Sequence, residues 1–239
     1  MAEKLYTIPV NDAFHKNSEC PLCSMYQRLE SDAVEFMVGP SYMEDDIRME
    51  TDEKGFCDRH MGALLAKKNR LGIALILKTH LDRQIAETER LAKKPIKPLS
   101  LLKKEPSEIA KYAGDTHKKC YLCDRIGLTF PHYVDTVVKL YKRDEAFRDL
   151  YQRSKGFCYE HFSQLIESAR ANFSGETLRE FVDTTVTLYT ENLKRVADDL
   201  EWFTRKFDYR YKDEPWKDSK DAIERAVIKT NGIMPEENK

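Results

Sequence analysis

Glycine and proline are both scarce in this sequence, with nine of each among 239 residues. Because these residues make most tight turns, a chain that has few of them is expected to contain few short strands. Charged residues make up 34% of the chain and hydrophobic residues 41%, a balance that favours long, solvated helices. No segment alternates apolar and polar residues convincingly, as a half-buried strand does. The sequence therefore predicts an all-α protein.

Long apolar runs are also missing. The longest aliphatic stretch covers residues 71–77, whereas a membrane-spanning helix needs about 20 apolar residues. Residues 1–14 lack the apolar core of a secretory signal. We therefore expect no membrane association and a cytoplasmic location, where cysteines stay reduced.

The chain has no excess of positive charge, because 40 basic residues face 41 acidic ones. Proteins that bind nucleic acid by neutralising phosphates usually carry a basic excess. The charge balance argues against a nucleic-acid partner, so a protein partner or a second copy of the chain is the expected kind of partner.

All six cysteines belong to a motif that occurs twice, C-x-L-C followed by K-G-F-C-x-x-H. The two copies are offset by about 100 residues, which indicates an internal repeat. The first copy contributes Cys20, Cys23, Cys57 and His60, and the second contributes Cys120, Cys123, Cys158 and His161. Because no cysteine is left over, the motif favours metal binding over simple burial of apolar cysteines.

The ligand types in the motif suit zinc. Structural zinc sites are tetrahedral and commonly use three cysteines and one histidine. The spacing of C-x-x-H places its two ligands on one helix face. We predict two zinc ions per chain, each held within one copy, because a shorter loop loses less entropy on closure.

The residues around the ligands predict a helix start at each half-site. Pro21 suits the first position of a helix, and Gly55 and Gly156 allow a sharp turn before the third cysteine of each copy. Thiolates at helix N-termini are stabilised by the unpaired N–H groups there, which favours metal binding.

The motif is also compatible with two alternatives to zinc. Iron–sulfur clusters usually take four cysteines, but histidine can replace one or two of them. A redox-active dithiol is the other alternative, since C-P-L-C resembles a thioredoxin-type motif, although the usual strand–helix context is not predicted here.

The motif copies divide the chain into four predicted segments. These are a first helical metal-binding repeat over residues 1–92, a connector rich in proline and lysine over 93–119, a second metal-binding repeat over 120–212, and a C-terminal tail over 213–239 with a further helix near residues 218–229. Apolar residues at steps of three and four predict long helices over 74–91 and 178–203, each following a break, and another helix over 133–151.

The paired motifs, together with D-D-L-E-W-F-T-x-K-F-D-Y-R at residues 198–210 and P-W-K-D-S-K-D-A at 215–222, resemble an uncharacterised bacterial family, domain of unknown function 6062. The resemblance covers nearly the whole chain. It implies a cytoplasmic helical protein with paired Cys/His motifs, and it implies no activity.

The sequence carries no other catalytic signature, because it has no phosphate-binding glycine loop, no H-E-x-x-H and no nucleophile elbow. We therefore predict a metal-binding scaffold or interaction protein rather than an enzyme. The alternative function is an iron–sulfur or thiol-based redox protein or sensor.

Overall fold

The computed structural model describes residues 2–96 and 105–234. Within these ranges the chain forms α-helices and short 3₁₀ turns and no β-strand, which confirms the all-α prediction. The helices are α1 (Ala2–His15), α2 (Pro21–Val38), α3 (Asp45–Lys54), α4 (Asp58–Ala66), α5 (Arg70–Ala92), α6 (Glu108–Lys118), α7 (Tyr121–Arg143), α8 (Glu145–Gln152), α9 (Tyr159–Asn172), α10 (Gly175–Arg205) and α11 (Ala222–Asn231). None of the described helices is long and apolar enough to cross a bilayer.

The chain forms two compact units. The first unit contains Met1–Arg28 and Thr129–Lys239, and the second unit contains Leu29–Leu128. The boundaries between the units fall inside α2 and α7, so each of these helices contributes residues to both units.

Aromatic side chains form the centre of the first unit. The rings of Phe14 and Phe147 lie 5.0 Å apart, and the fully buried Tyr151 ring packs against Phe181 at 5.7 Å. The Tyr151 hydroxyl is 2.8 Å from the hydroxyl of Thr185, which gives this polar atom a partner inside the core. Large buried rings of this kind supply much of the apolar area that stabilises a domain.

The second unit has an aliphatic core formed by α2, α4 and α5. Its buried side chains include Val34, Met37, Leu64, Ile73 and Ile76. The chain turns between α4 and α5 at Asn69, whose side-chain oxygen accepts a hydrogen bond from Gly72 N at 3.1 Å and so caps α5.

The long helices predicted from residues 74–91 and 178–203 are α5 and α10. The helix predicted over residues 133–151 is instead two helices, because Asp144 caps α8 by accepting a hydrogen bond from Phe147 N. The helix predicted near residues 218–229 is present as α11, shifted toward the C-terminus. The stretch 93–119 also contains a helix, α6, which begins after the capping residue Ser107.

Candidate metal centres

The two C-x-x-C pairs lie at helix starts, as predicted. Cys20 directly precedes α2, whose first residue is Pro21, and Cys120 directly precedes α7. Cys23 and Cys123 follow in the first turn of these helices. Each pair of sulfurs therefore lies beside the free N–H groups that open a helix.

The two C-x-x-H pairs also begin helices. Cys57 and Cys158 are the N-cap residues of α4 and α9, and the histidines follow three positions later on the same face. Gly55 and Gly156 precede them with φ angles of 60° and 76°. This left-handed backbone favours glycine, so both glycines have the role expected from the sequence.

The eight predicted residues come together in two groups of four. The first group consists of Cys20, Cys23, Cys158 and His161, and the second group consists of Cys57, His60, Cys120 and Cys123. Within each group the four candidate ligand atoms lie within 4.8 Å of one another. The first group lies entirely in the first unit and the second group entirely in the second unit.

The predicted pairing within each copy of the motif is therefore wrong. Each group joins the C-x-x-C of one copy to the C-x-x-H of the other. Cys23 and Cys158 are 135 residues apart, about four times the 34 residues that separate Cys23 from Cys57. Two doublings of loop length cost only about 1.2 kcal/mol, which helix packing easily offsets.

In the first group the imidazole faces all three sulfurs through one nitrogen. His161 Nδ1 lies 3.4 Å from Cys20 Sγ, 3.3 Å from Cys23 Sγ and 3.1 Å from Cys158 Sγ. The sulfurs of Cys23 and Cys158 are 3.6 Å apart.

The second group repeats this geometry. His60 Nδ1 lies 3.4 Å from Cys57 Sγ, 3.2 Å from Cys120 Sγ and 3.4 Å from Cys123 Sγ. The sulfurs of Cys57 and Cys123 are 3.8 Å apart. No disulfide joins any of the six cysteines.

These distances suit four ligands around one ion. Bonds of about 2.3 Å from zinc to sulfur and about 2.0 Å from zinc to nitrogen give tetrahedral edges of about 3.8 Å between sulfurs and about 3.5 Å between sulfur and nitrogen. The observed separations of 3.1 to 3.8 Å lie at or slightly below these values. The donor set and its spacing therefore fit a bound metal ion.

Without a metal, each group holds one acidic thiol beside a basic imidazole. In the second group, the hydrogen bond with Cys120 raises the pKa of His60 to about 10, helped by a hydrogen bond with Glu30. Burial opposes ionisation of Cys120, but the hydrogen bond with His60 and those from the backbone of Cys57 and Cys123 together outweigh it and lower the Cys120 pKa to about 6. Although the Cys123 side chain reaches the surface, partial desolvation and the hydrogen bond with Cys120 raise its pKa to about 12.

The first group has the same arrangement. Hydrogen bonds with Cys20 and Cys23 hold the pKa of Cys158 far below its usual range. Burial works against protonation of His161, yet its hydrogen bonds with Cys158 and Cys20 raise its pKa to about 10. The hydrogen bond with Cys158 raises the pKa of the Cys23 thiol. In both groups metal binding must therefore displace protons from the histidine and from at least one cysteine.

A carboxylate holds the histidine of the second group. His60 Nε2 lies 3.0 Å from Glu30 Oε1, which leaves Nδ1 free to face the sulfurs. Arg59 binds the other carboxylate oxygen of Glu30 at 2.6 Å. Despite partial burial, the hydrogen bonds from His60 and Arg59 keep the pKa of Glu30 below its usual range. Contacts of this kind orient metal-binding histidines in many proteins.

The first group is held by a buried lysine on α11. The Lys229 side chain is 1% exposed, and its Nζ donates to the carbonyl oxygens of Glu19 at 2.6 Å and of Lys155. These carbonyls precede Cys20 and Gly156, so Lys229 connects the two half-sites of the group. It also pairs with the buried Glu19 carboxylate at 3.2 Å, which Arg195 contacts at 2.5 Å. The sequence contained no signal for Lys229, because its partner Glu19 is 210 residues away.

The two groups differ in exposure. All four side chains of the first group are buried, and a Cβ built on Gly232 would lie 3.6 Å from the sulfurs of both Cys23 and Cys158. In the second group His60 and Cys120 are buried, Cys57 is half-buried and Cys123 is exposed.

Of the described residues, the remaining histidines belong to neither group. His80, for example, binds the Asp52 carbonyl through Nδ1 at 2.7 Å and packs against Gly55.

Comparison with known proteins identifies the family of the chain. No curated protein and no solved structure matches the chain. The model of a family of unknown function, DUF6062, matches residues 1–237, nearly the whole length, as the paired motifs predicted. The chain belongs to this family.

Proposed function

We propose that the protein is a zinc-binding helical scaffold or interaction protein that holds two structural zinc ions, one in each group of three cysteines and one histidine. The observation that carries this proposal is the convergence of four ligand atoms to within 4.8 Å in each group. Helices from distant parts of the chain supply these ligands, so a bound ion would tie the helices of each unit together.

Zinc is the metal that the donor set favours. Three thiolates and one imidazole are soft and borderline ligands, and structural zinc sites commonly use this set. The histidine of each group presents Nδ1 toward the sulfurs, as a ligating nitrogen does.

An iron–sulfur cluster suits the groups less well. Such a cluster places several irons and sulfides between its protein ligands, so its thiolates must stand well apart. The sulfur–sulfur distances of 3.6 Å in the first group and 3.8 Å in the second leave room for a single ion.

The number of protein ligands in each group supports a structural role for the metal. Catalytic zinc sites usually have three protein ligands and keep a fourth position for water or substrate. Each group here offers four protein ligands. With all four engaged, a zinc ion would hold the fold and activate no water.

The interaction role is supported by α5, which exposes large apolar side chains. Leu71, Leu81 and Ile85 are 67%, 51% and 56% exposed, and at about 100° per residue they share one face of the helix. A protein partner or a second copy of the chain would cover this face. We place the protein in the cytoplasm, where a reducing environment keeps its six cysteines available for metal.

Elemental analysis tests the proposal. The protein is isolated without oxygen from cells supplied with both iron and zinc, and we expect two zinc ions per chain and no colour. Chelation should then lower helix content in circular dichroism and zinc should restore it, because structural zinc contributes about 10 kcal/mol or more of folding free energy in small domains. Brown protein that contains iron and absorbs at about 400 nm would refute zinc in favour of a cluster.

A further inference from the structure

The second group has the more accessible sulfurs. Cys123 is exposed and Cys57 is half-buried, whereas the three cysteines of the first group are 0 to 2% exposed. A soluble oxidant can therefore reach the second group directly, while α11 and Gly232 cover the first.

The two accessible sulfurs also lie close together. Cys57 Sγ and Cys123 Sγ are 3.8 Å apart and belong to different helices, α4 and α7. A disulfide requires a sulfur–sulfur distance of about 2.0 Å. Cys57 is the N-cap residue of α4 and Cys123 lies in the first turn of α7, so a shift at these two helix ends would close the gap.

We propose that Cys57 and Cys123 are a peroxide-sensitive pair whose oxidation to a disulfide opens the second group and releases its zinc. This inference rests on the proposed function, because it assumes zinc in that group. The first group keeps its zinc under the same conditions.

The reaction balances as a two-electron oxidation. One thiolate attacks a peroxide oxygen and becomes a sulfenic acid as the O–O bond breaks and water leaves after protonation. The second thiolate attacks that sulfur, which forms the S–S bond and releases hydroxide, protonated to a second water. The two sulfurs lose two electrons and hydrogen peroxide gains them. A thiol reductant reverses the disulfide.

Loss of two of four donors explains the release of the ion. After oxidation the second group retains only Cys120 and His60 as ligands. The ion then dissociates, and α4 and α7 are joined by the disulfide in place of the metal.

The test follows zinc and thiols together. Protein with two zinc ions per chain is treated with hydrogen peroxide, released zinc is measured with a chromogenic chelator, and cysteines are identified by alkylation and mass spectrometry. We expect one zinc to leave about tenfold faster than the other or more, with a Cys57–Cys123 disulfide. Because all six cysteines belong to the two groups, every lost thiol reports on one group.

Two matched variants assign the fast zinc. Cys123→Ser removes the second cysteine of one C-x-x-C pair, and Cys23→Ser removes its counterpart in the first group. The Cys23→Ser protein should release its remaining zinc quickly, whereas the Cys123→Ser protein should retain its remaining zinc. If either variant fails to fold, the kinetics of zinc release and the disulfide map of the unaltered protein show which group loses its zinc first.

The outcomes separate the two proposals. Protein isolated without zinc would overturn both. Protein with two zinc ions that leave together, that leave first from the buried group, or that resist peroxide would overturn the peroxide-sensitive pair and leave the zinc proposal standing. A fast release accompanied by a Cys120–Cys123 disulfide would also overturn the assignment to Cys57.

Discussion

The two groups present the same four ligands in different surroundings. The first group is buried, and Lys229 and Gly232 of the C-terminal region lie against it. The second group reaches the surface at Cys123. The shared motif therefore supplies the same kinds of ligand to both groups, and the neighbouring side chains determine how accessible and how strongly held those ligands are.

The contrast is clearest beside the histidines. Ten residues after the first cysteine of each copy stands Glu30 or Phe130. Glu30 accepts a hydrogen bond from His60 at 3.0 Å, whereas the Phe130 ring packs against the His161 ring at 5.2 Å. The carboxylate orients its imidazole by a charged hydrogen bond, and the aromatic ring orients its imidazole by packing.

The half-sites are also joined differently. Tyr121 N donates to the Gly55 carbonyl at 3.0 Å and so connects the half-sites of the second group. The corresponding residue of the first group is Pro21, which has no N–H to donate. There, the ammonium of Lys229 makes the connection by binding the carbonyls of Glu19 and Lys155.

Loss of a ligand should have the largest effect. We expect Cys158→Ser to abolish zinc binding in the first group and to lower the free energy of unfolding by on the order of 5–10 kcal/mol. Cys57→Ser is the matched change in the second group. Alkylation should detect newly reactive Cys20 and Cys23 in the first variant, and Cys120 and Cys123 in the second. If Cys158→Ser instead made Cys120 and Cys123 reactive, the ligands would pair within each copy of the motif.

Replacement of the buried Lys229 should have the second-largest effect. Lys229→Met leaves the Glu19 carboxylate without its buried partner, so urea unfolding should show a loss of about 3 kcal/mol. Zinc should be lost from the first group before the second. Lys78→Met, at an exposed pair with Asp82, is the control and should change stability little. If the two variants were equally stable, Lys229 would not stabilise the connection between the two half-sites of the first group.

Loss of the contact between Glu30 and His60 should have a smaller effect, which is confined to the second group. Glu30→Gln removes the charge that faces His60, and we expect zinc affinity there to fall about 10- to 100-fold. Competition with a chelator of known affinity measures this for each zinc. Glu35→Gln, at an exposed residue of the same helix, is the control. If zinc affinity fell in the first group instead, Glu30 would affect the stability of the whole protein rather than His60 alone.

The smallest effect is expected at Gly232. Its φ of 66° disfavours alanine, so Gly232→Ala should cost about 1 kcal/mol. Gly175→Ala carries the same strain at a φ of 56° with no neighbouring atom within 4 Å. Thermal unfolding should show similar losses, and only the Gly232 variant should alter zinc exchange in the first group, because its new methyl touches both sulfurs.

Much of the site could be predicted from the sequence, because its ligands form short motifs. The spacing selected the eight residues that the structure brings together in two groups of four, and Pro21, Gly55 and Gly156 indicated the helix starts. Such local signals depend on backbone preferences that neighbouring residues set.

The pairing of the half-sites could not be predicted in this way. Loop entropy distinguishes the two pairings by only about 1 kcal/mol, and the packing of α2, α4, α7 and α9 decides between them. The same limit applies to Lys229, whose partner Glu19 is 210 residues distant. Helix α6 lies within the stretch predicted as a connector, because prolines interrupt helices but all three of these prolines precede the capping residue Ser107.

The crossed pairing sets an order of events during synthesis. Once residue 60 has been made, the nascent chain carries Cys20, Cys23, Cys57 and His60, a complete ligand set of the wrong pairing. Cys120 follows 60 residues later, about 3–12 s at ordinary rates of translation. During this interval a zinc ion bound to the early set would have to exchange before the native groups form. The ligand set of the wrong pairing is therefore complete before either native set.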